Sequence, residues 1–207
     1  MKDPESSNLG KDIVEHGIEL IAEIGFEAFT FKKLGGRIGS PESSIYRYFE
    51  NKHKLLLYLT SWYWSWMEYR LYFSLTNINS PQNRLERAVV LLTELIEEDS
   101  SFSHVNEVKL NQIVITESPK SYLTKEVDQE NNEGIFAGYK QLVARVSDII
   151  LEINPDYKYP HMLVSTVIEG AHFQRYFVKH LPRLTDVVKG ENSITEFYLE
   201  MVSKAIK

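Results

Sequence analysis

Two Glu-x-x-His pairs are the first residues in this sequence whose types and spacing could do chemistry. Glu50 lies three positions before His53, and Glu169 lies three positions before His172. Two such pairs with two further glutamates form the di-iron sites of ferritin-like helical bundles. The first pair lies in a basic segment, where it is not expected to face the second in one bundle. A di-iron enzyme is therefore the alternative hypothesis, and we predict no metal site, no cofactor and no catalytic residue.

Residues 30–55 form a short basic segment in an acidic chain. The 207 residues carry a net charge of −6, of which residues 1–29 contribute −5, whereas residues 30–55 contribute +4. Because screening limits each charge to about 8–10 Å, a local excess can bind phosphate although the whole chain is acidic. The charge pattern alone is equally typical of a solvated helical face.

The composition and motifs of the sequence exclude several classes of protein. The sequence contains no cysteine, which excludes disulfide scaffolds, iron–sulfur clusters and cysteine nucleophiles. The longest apolar stretch, Leu55–Met67, has 13 residues without a charge and is too short to span a membrane. The polar start lacks the apolar core of a signal peptide. Phosphate-loop and serine-elbow motifs are also missing, so we predict a non-enzymatic cytoplasmic protein without membrane contact.

The periodicity of apolar residues predicts an all-α fold. Gly25 should end the first helix, Thr30 should cap the second, and Gly39 should end it. Ser40 and Pro41 should begin a third helix. The predicted helices span residues 9–24, 30–38, 41–49, 52–78, 81–99, 103–117, 120–153 with a break near 131–134, 160–181 and 192–206. We predict a domain at 1–53 and a helical bundle at 54–207.

The second and third predicted helices have the pattern of a helix-turn-helix. They are short, joined by a tight glycine turn, and follow a longer first helix. Such a unit inserts the start of its second short helix into the DNA major groove. Residues 40–44 are small or polar, which suits close approach to base edges, while Ile45 and Phe49 should anchor the opposite side.

The same segment resembles the N-terminal domain of the TetR family of transcriptional regulators. The resemblance lies in Gly25-Phe26, Thr30, Gly39 and the run Ile45–Leu56 (IYRYFENKHKLL), and it extends over about residues 9–60 without gaps. The rest of the chain matches only in length and helical character. The resemblance implies a three-helix DNA-binding domain, joined by a long fourth helix to a ligand-binding and dimerisation bundle.

The resemblance also implies a function and a set of DNA contacts. It implies a bacterial, nucleoid-associated repressor that binds a near-palindromic operator as a homodimer and responds to an unknown small molecule. The DNA-contact residues implied are Thr30, Ser40, Pro41, Glu42, Ser43, Ser44, Tyr46, Arg47, Tyr48 and Lys52. Thr30 and Lys52 would hold phosphates, whereas residues 40–44 would read bases.

Two features depart from the family pattern. Glu42 stands where the family often has Lys or Gln; it could accept a hydrogen bond from a cytosine amino group, or point away and favour the helix N-terminus. Gly35-Gly36 replaces a helix-forming pair and could permit close packing of the backbone on DNA or on the first helix.

The C-terminal part carries the expected ligand and dimer sites. The ligand-contact candidates are Trp62, Trp66, Tyr69, Phe73, His104, Gln112, Tyr139, Glu169, His172 and Tyr176. The dimer-interface candidates, on the last two helices, are Val164, Val167, Ile168, Ala171, Ile194, Phe197 and Met201. Core packing within one chain would explain the apolar character of the ligand-contact and the dimer-interface candidates equally well. A helical protein–protein adaptor is a further alternative for the function of the protein.

Overall fold

The computed structural model describes residues 1–97, 104–187 and 192–207. Within those ranges the chain forms eleven α-helices and no strand, which confirms the all-α prediction. The helices are α1 (Asn8–Ala28), α2 (Phe31–Ile38), α3 (Glu42–Ile45), α4 (Lys52–Leu75), α5 (Pro81–Thr93), α6 (Glu107–Glu117), α7 (Pro119–Tyr122), α8 (Val127–Asn132), α9 (Ala137–Ile153), α10 (Pro160–His180) and α11 (Ser193–Ala205).

The boundaries of the first helices follow the predicted glycine and capping signals. Gly25 has φ +77° and interrupts α1 near the predicted end, before a last turn that leads to Phe29. Thr30 caps α2, and Gly39 ends it in the left-handed conformation with φ +66°. Because L-residues with a side chain rarely adopt such angles, these two glycines fix where α1 is interrupted and where α2 ends.

Three predicted helices are shorter or more divided than expected. The third helix ends at Ile45, after which residues 46–48 form a turn. The fifth helix ends at Thr93. Residues 98 and 99, in the predicted range of this helix, lie outside the described residues, as does residue 103, the predicted start of the sixth helix. The segment 120–153 divides into α7, α8 and α9, with Gly134 (φ +86°) in the predicted break.

The chain divides into two compact units. Unit 1 comprises residues 1–63 and 96–135, and unit 2 comprises residues 64–95 and 136–207. Helix α4 is continuous through residue 63, so its first half belongs to unit 1 and its second half to unit 2. Unit 1 therefore contains the helix-turn-helix together with α6, α7 and α8, of which α6 packs on α1.

The core of unit 2 contains most of the residues predicted for a dimer interface. This corrects five of those predictions, because side chains buried within a single chain cannot contact a partner. The five, each at most 4% exposed, are Val164, Val167, Ile168, Ala171 and Ile194. Their apolar stripe is the inner face of α10 and α11, which pack on α5 and on each other. Phe197 remains 56% exposed, and Met201 is half-buried.

A glycine allows the last two helices to approach closely. A Cβ atom at Gly170 would lie 2.1 Å from the hydroxyl oxygen of Tyr198. Any larger residue would therefore require the Tyr198 ring to shift. In the described ranges, no helix combines the length and apolarity that crossing a membrane requires.

Candidate nucleic-acid interface

The start of α2 combines a capped helix end with basic side chains. The exposed Thr30 accepts a hydrogen bond at Oγ1 from the backbone N–H of Lys33, over 3.2 Å. The Lys33 ammonium in turn donates to the carbonyl oxygen of Ala28 over 2.7 Å. Lys32 is exposed beside it. Because a helix N-terminus favours anions, this end of α2 is suited to a phosphate group.

The turn and α3 present small polar residues around a buried anchor. Pro41 precedes α3 in an extended conformation, and Ile45, at 0% exposure, fixes the helix to the core of unit 1. Pro41 and Ser43 are exposed, while Ser40 and Ser44 are half-buried. The structure thus places the predicted base-reading segment at the surface of unit 1.

The two unusual glycines of α2 have different surroundings. A Cβ atom at Gly35 would lie 2.6 Å from the carbonyl oxygen of Ser40 and 3.4 Å from the backbone nitrogen of Glu42. Gly35 therefore permits the turn to fold back against α2, rather than close packing on α1. A Cβ atom at the exposed Gly36 would meet nothing within 4 Å.

Tyr46 connects the two short helices. Its ring contacts that of Phe31 edge-on, with 5.1 Å between the centroids. Its hydroxyl donates to Oε1 of Glu42 over 3.2 Å, and the side chain is 49% exposed. Partial desolvation and this hydrogen bond raise the pKa of the Tyr46 hydroxyl above its ordinary value.

Tyr48, by contrast, lies inside unit 1. It is 5% exposed, and its hydroxyl makes a hydrogen bond of 2.8 Å with Ser7. The backbone N–H of Lys2 donates to the carbonyl oxygen of Arg47 over 3.0 Å, so the N-terminal segment lies along this turn. The predicted DNA contact of Tyr48 is therefore corrected to a structural role, since its polar atom already has a partner within the chain.

The predicted phosphate clamp at Lys52 also has partners within unit 1. Its ammonium donates to the carbonyl oxygens of Phe26 and Glu27, over 3.0 and 3.2 Å, and lies 3.5 Å from that of Phe29. The same ammonium lies 4.8 Å from the centroid of the Phe26 ring. Lys52 thus stabilises the carbonyl end of α1, where a cation is favourable.

Other cations of the basic segment differ in whether they are paired. Arg37 forms ion pairs with Glu19 and Glu23 of α1, at 3.2 and 2.6 Å. Lys32 and Arg47 are exposed, and neither side chain has a hydrogen bond or ion pair within the described ranges. Lys32 is not among the predicted DNA contacts, although its position in the first turn of a capped helix suits a phosphate contact.

The two Glu-x-x-His pairs lie in different units. His53 belongs to unit 1, where its Nε2 lies 3.0 Å from the buried carboxylate of Glu130, and Lys54 approaches the same oxygen. Glu169 and His172 belong to unit 2. Among the described residues, no group of three or more His, Asp or Glu side chains is arranged to hold a metal ion.

The predicted ligand contacts are divided between the units as well. Trp62, His104 and Gln112 belong to unit 1, where His104 pairs with Glu5 at 3.0 Å and Gln112 is exposed. The other predicted ligand contacts belong to unit 2. They are Trp66, Tyr69, Phe73, Tyr139, Glu169, His172 and Tyr176.

Three of the unit 2 residues form a cluster around Trp64. The ring of Trp64 stacks on Tyr139, with 4.1 Å between centroids, and lies 5.9 Å from the ring of His172. The Tyr139 hydroxyl donates to Glu169 over 2.9 Å. Trp64 was not among the predicted ligand contacts, and nothing in its spacing separated it from the other aromatic residues of α4. Burial and the charge of Arg175 lower the pKa of His172 to about 4.

Trp66, Tyr69, Phe73 and Tyr176 have other surroundings in unit 2. Trp66 is buried beneath the guanidinium of Arg70, whereas the other three are exposed on α4 and α10. Two surface grooves of unit 2, of about 760 and 610 Å³, do not involve any of the predicted ligand contacts. The ligand contacts named from the sequence therefore stay a prediction.

Comparisons with known proteins identify the domain that contains this interface. Residues 13–59 match the family model described as bacterial regulatory proteins, tetR family. A comparison with curated protein sequences gives no significant match.

Solved structures share the fold over nearly the whole chain. The transcriptional regulator FadR from Bacillus subtilis in complex with stearoyl-CoA is 18% identical, with a TM-score of 0.67 over 95% of this chain and 98% of that one. The superantigen PfiT is 16% identical, with a TM-score of 0.63 over 98% and 97%. AibR in complex with isovaleryl coenzyme A and operator DNA is 17% identical, with a TM-score of 0.60 over 91% and 95%.

These likenesses to solved structures show the fold. The family model matches the N-terminal domain at residues 13–59, which cover α2 and α3 and reach from within α1 into α4. The glycine turns, the Thr30 cap and the exposed start of α3 are the geometry of that domain. Residues 13–59 therefore form a domain that matches the TetR family of bacterial regulatory proteins.

Proposed function

We propose that this protein is a DNA-binding transcriptional regulator, acting as a repressor, that binds its operator through α2, the following turn and α3. The match of residues 13–59 to the TetR-family model is the observation that carries the proposal. The exposure of Thr30, Pro41, Ser43 and Arg47 supports it, because these side chains can reach DNA without unfolding any element. Unpaired Lys32 and Arg47 supply charge for phosphate contacts.

The regulator is proposed to act as a homodimer on a near-palindromic operator. Two copies of a helix-turn-helix read half-sites one helical turn, about 34–36 Å, apart or slightly more. Exposed aromatic residues of unit 2 supply a surface for the partner copy, in place of the buried residues first considered. Phe173 and Phe177 stack on α10 with 5.9 Å between centroids, Phe173 is 53% exposed, and Phe197 on α11 is 56% exposed.

A small molecule is proposed to modulate DNA binding by preferring one arrangement of the dimer. The coupling free energy for such an effect is typically about 1–3 kcal/mol. FadR and AibR, which share the fold, are described in complex with stearoyl-CoA and isovaleryl coenzyme A. Acyl-CoA esters of different chain length are therefore the first compounds to test, by adding each to the protein–operator complex and measuring release of DNA.

Repression does not require a reaction, so we propose that the protein has no catalytic activity. Among the described residues, the lack of any group of His, Asp or Glu side chains arranged to hold a metal ion supports this over a di-iron enzyme. We also propose a cytoplasmic location, because the operator is there. Stoichiometric iron in the purified protein would favour the enzyme instead.

Selection of DNA fragments from the source genome by the purified full-length protein tests the proposal. The selected fragments should share an inverted repeat and bind with nanomolar affinity that falls steeply with salt. Ser43→Asp, which adds a negative charge to α3, should abolish this binding, whereas Ser203→Asp on α11 should not. Fragments without a common motif, or binding that is insensitive to salt, would contradict the proposal.

A further inference from the structure

We infer that Glu42 is a specificity-determining residue that requires a cytosine in each operator half-site. This inference rests on the proposed function, and it assigns a base to a position of the same interface. It concerns the first residue of α3, a half-buried side chain between the exposed Pro41 and Ser43. A residue at the start of the second short helix is where base edges are met.

Tyr46 holds the Glu42 carboxylate in one place. The tyrosine is one helical turn further along the chain, and its hydroxyl donates to Oε1 of Glu42. Edge-on packing against Phe31 fixes the ring itself. Because a tyrosine hydroxyl is protonated at neutral pH, it remains a donor. The carboxylate is thus positioned before DNA arrives, with Oε2 still able to accept.

The described contacts do not support the alternative role of Glu42 as a stabiliser of the α3 N-terminus. The start of α3 has no side-chain cap, and the hydrogen bond of Glu42 goes to Tyr46 rather than to a backbone N–H of the helix. The carboxylate is therefore held by a side chain at the surface, where a base can approach it.

The hydrogen-bonding properties of a carboxylate limit which base Glu42 can recognise. In the major groove, cytosine presents its N4 amino group as a donor, guanine presents two acceptors, and thymine presents an acceptor with a methyl group. A carboxylate only accepts hydrogen bonds, so it binds cytosine N4 and repels the guanine and thymine acceptors. Adenine offers a donor next to an acceptor, which suits an amide better than a carboxylate.

Selection from a random DNA library by the full-length protein tests this assignment, with Glu42→Gln and Glu42→Ala run in parallel. The wild type should select cytosine at one symmetric position. Glu42→Gln should shift that position toward adenine, and Glu42→Ala should remove its preference. Binding to single-base operator variants should show about a tenfold or larger discrimination for cytosine in the wild type only.

Two further variants separate specificity from general effects. Tyr46→Phe keeps the ring but removes the hydroxyl, so it should weaken the cytosine preference and leave the other positions unchanged. Glu126→Gln makes the same charge change on the exposed start of α8 and should leave the selected motif intact. Identical motifs for the wild type and both Glu42 variants would overturn the role of Glu42 while the proposed function stood. A wild type that selects no motif would contradict the proposed function itself.

Discussion

The ammonium of Lys52, at the start of α4, donates to the carbonyl oxygen of Phe26, near the end of α1, over 3.0 Å. The same group also bonds the carbonyl of Glu27 and lies over the Phe26 ring. The residue that the family resemblance assigned to a DNA phosphate therefore joins two helices of unit 1. This relationship changes what a substitution of Lys52 should do.

We expect Lys52→Met to lower the free energy of unfolding by about 1.5–3 kcal/mol, because hydrogen bonds from a charged donor are lost and carbonyl oxygens are left exposed. Urea unfolding measures this change. The salt dependence of DNA affinity should keep its slope, since no phosphate contact disappears. A reduced salt slope with unchanged stability would restore the phosphate-clamp role.

Lys32→Met is the matched substitution at an exposed lysine. Because Lys32 has no partner in the described part of the chain and lies in the first turn of α2, it is free to contact a phosphate. Its loss should reduce the slope of log affinity against log salt by about 0.9 per protomer, with stability unchanged. Titrations of labelled operator at several salt concentrations measure the slope, and an unaltered slope would remove Lys32 from the interface.

Replacing each of the two adjacent glycines of α2 with alanine should change the stability of the protein in opposite directions. Gly35→Ala places a methyl group 2.6 Å from the Ser40 carbonyl, so it should destabilise unit 1 and weaken DNA binding by displacing the turn. Gly36→Ala meets no atom and should stabilise the helix by about 0.5–1 kcal/mol. Thermal unfolding of both variants distinguishes these effects, and equal losses would show that the turn does not need the close approach at Gly35.

His172 should make the stability of the protein depend on pH between about 4 and 6.5. Its pKa is lowered to about 4 by burial, so the unfolded chain binds a proton in this range that the folded chain does not. Stability should therefore fall as pH falls, by at most about 3 kcal/mol for this group. Urea unfolding at pH 7 and pH 5 should show that His172→Phe reduces the difference, whereas His161→Phe, at an exposed position, retains it. A pH dependence unchanged by His172→Phe would contradict the assignment.

The sequence predicted the local features of the fold well because they depend on single residues. Gly25 and Gly39 bend the chain where their lack of a side chain allows a positive φ, and Thr30 caps the helix that follows it. These signals are contained within a few positions of the sequence. They were sufficient to place the helix-turn-helix and its exposed polar start.

Features that depend on distant contacts were not predictable from the sequence. Tyr48 and Lys52 fit a DNA-binding pattern, but their polar atoms find partners at Ser7 and Phe26, more than twenty positions away. Likewise, the apolar stripe of α10 indicated that a face is buried without indicating whether another chain or the same chain covers it. The inner position of Val167 and its neighbours resolves that ambiguity.

Mapping of backbone amide signals by NMR, with the selected operator added to the full-length protein, locates the surface that binds DNA. If α2, the turn and α3 form that surface, we expect large shifts for amides between residues 30 and 47, including those of Gly36, Ser43 and Ser44. Tight operator binding that leaves these amides unperturbed, with the shifts confined to unit 2, would contradict this assignment of the surface.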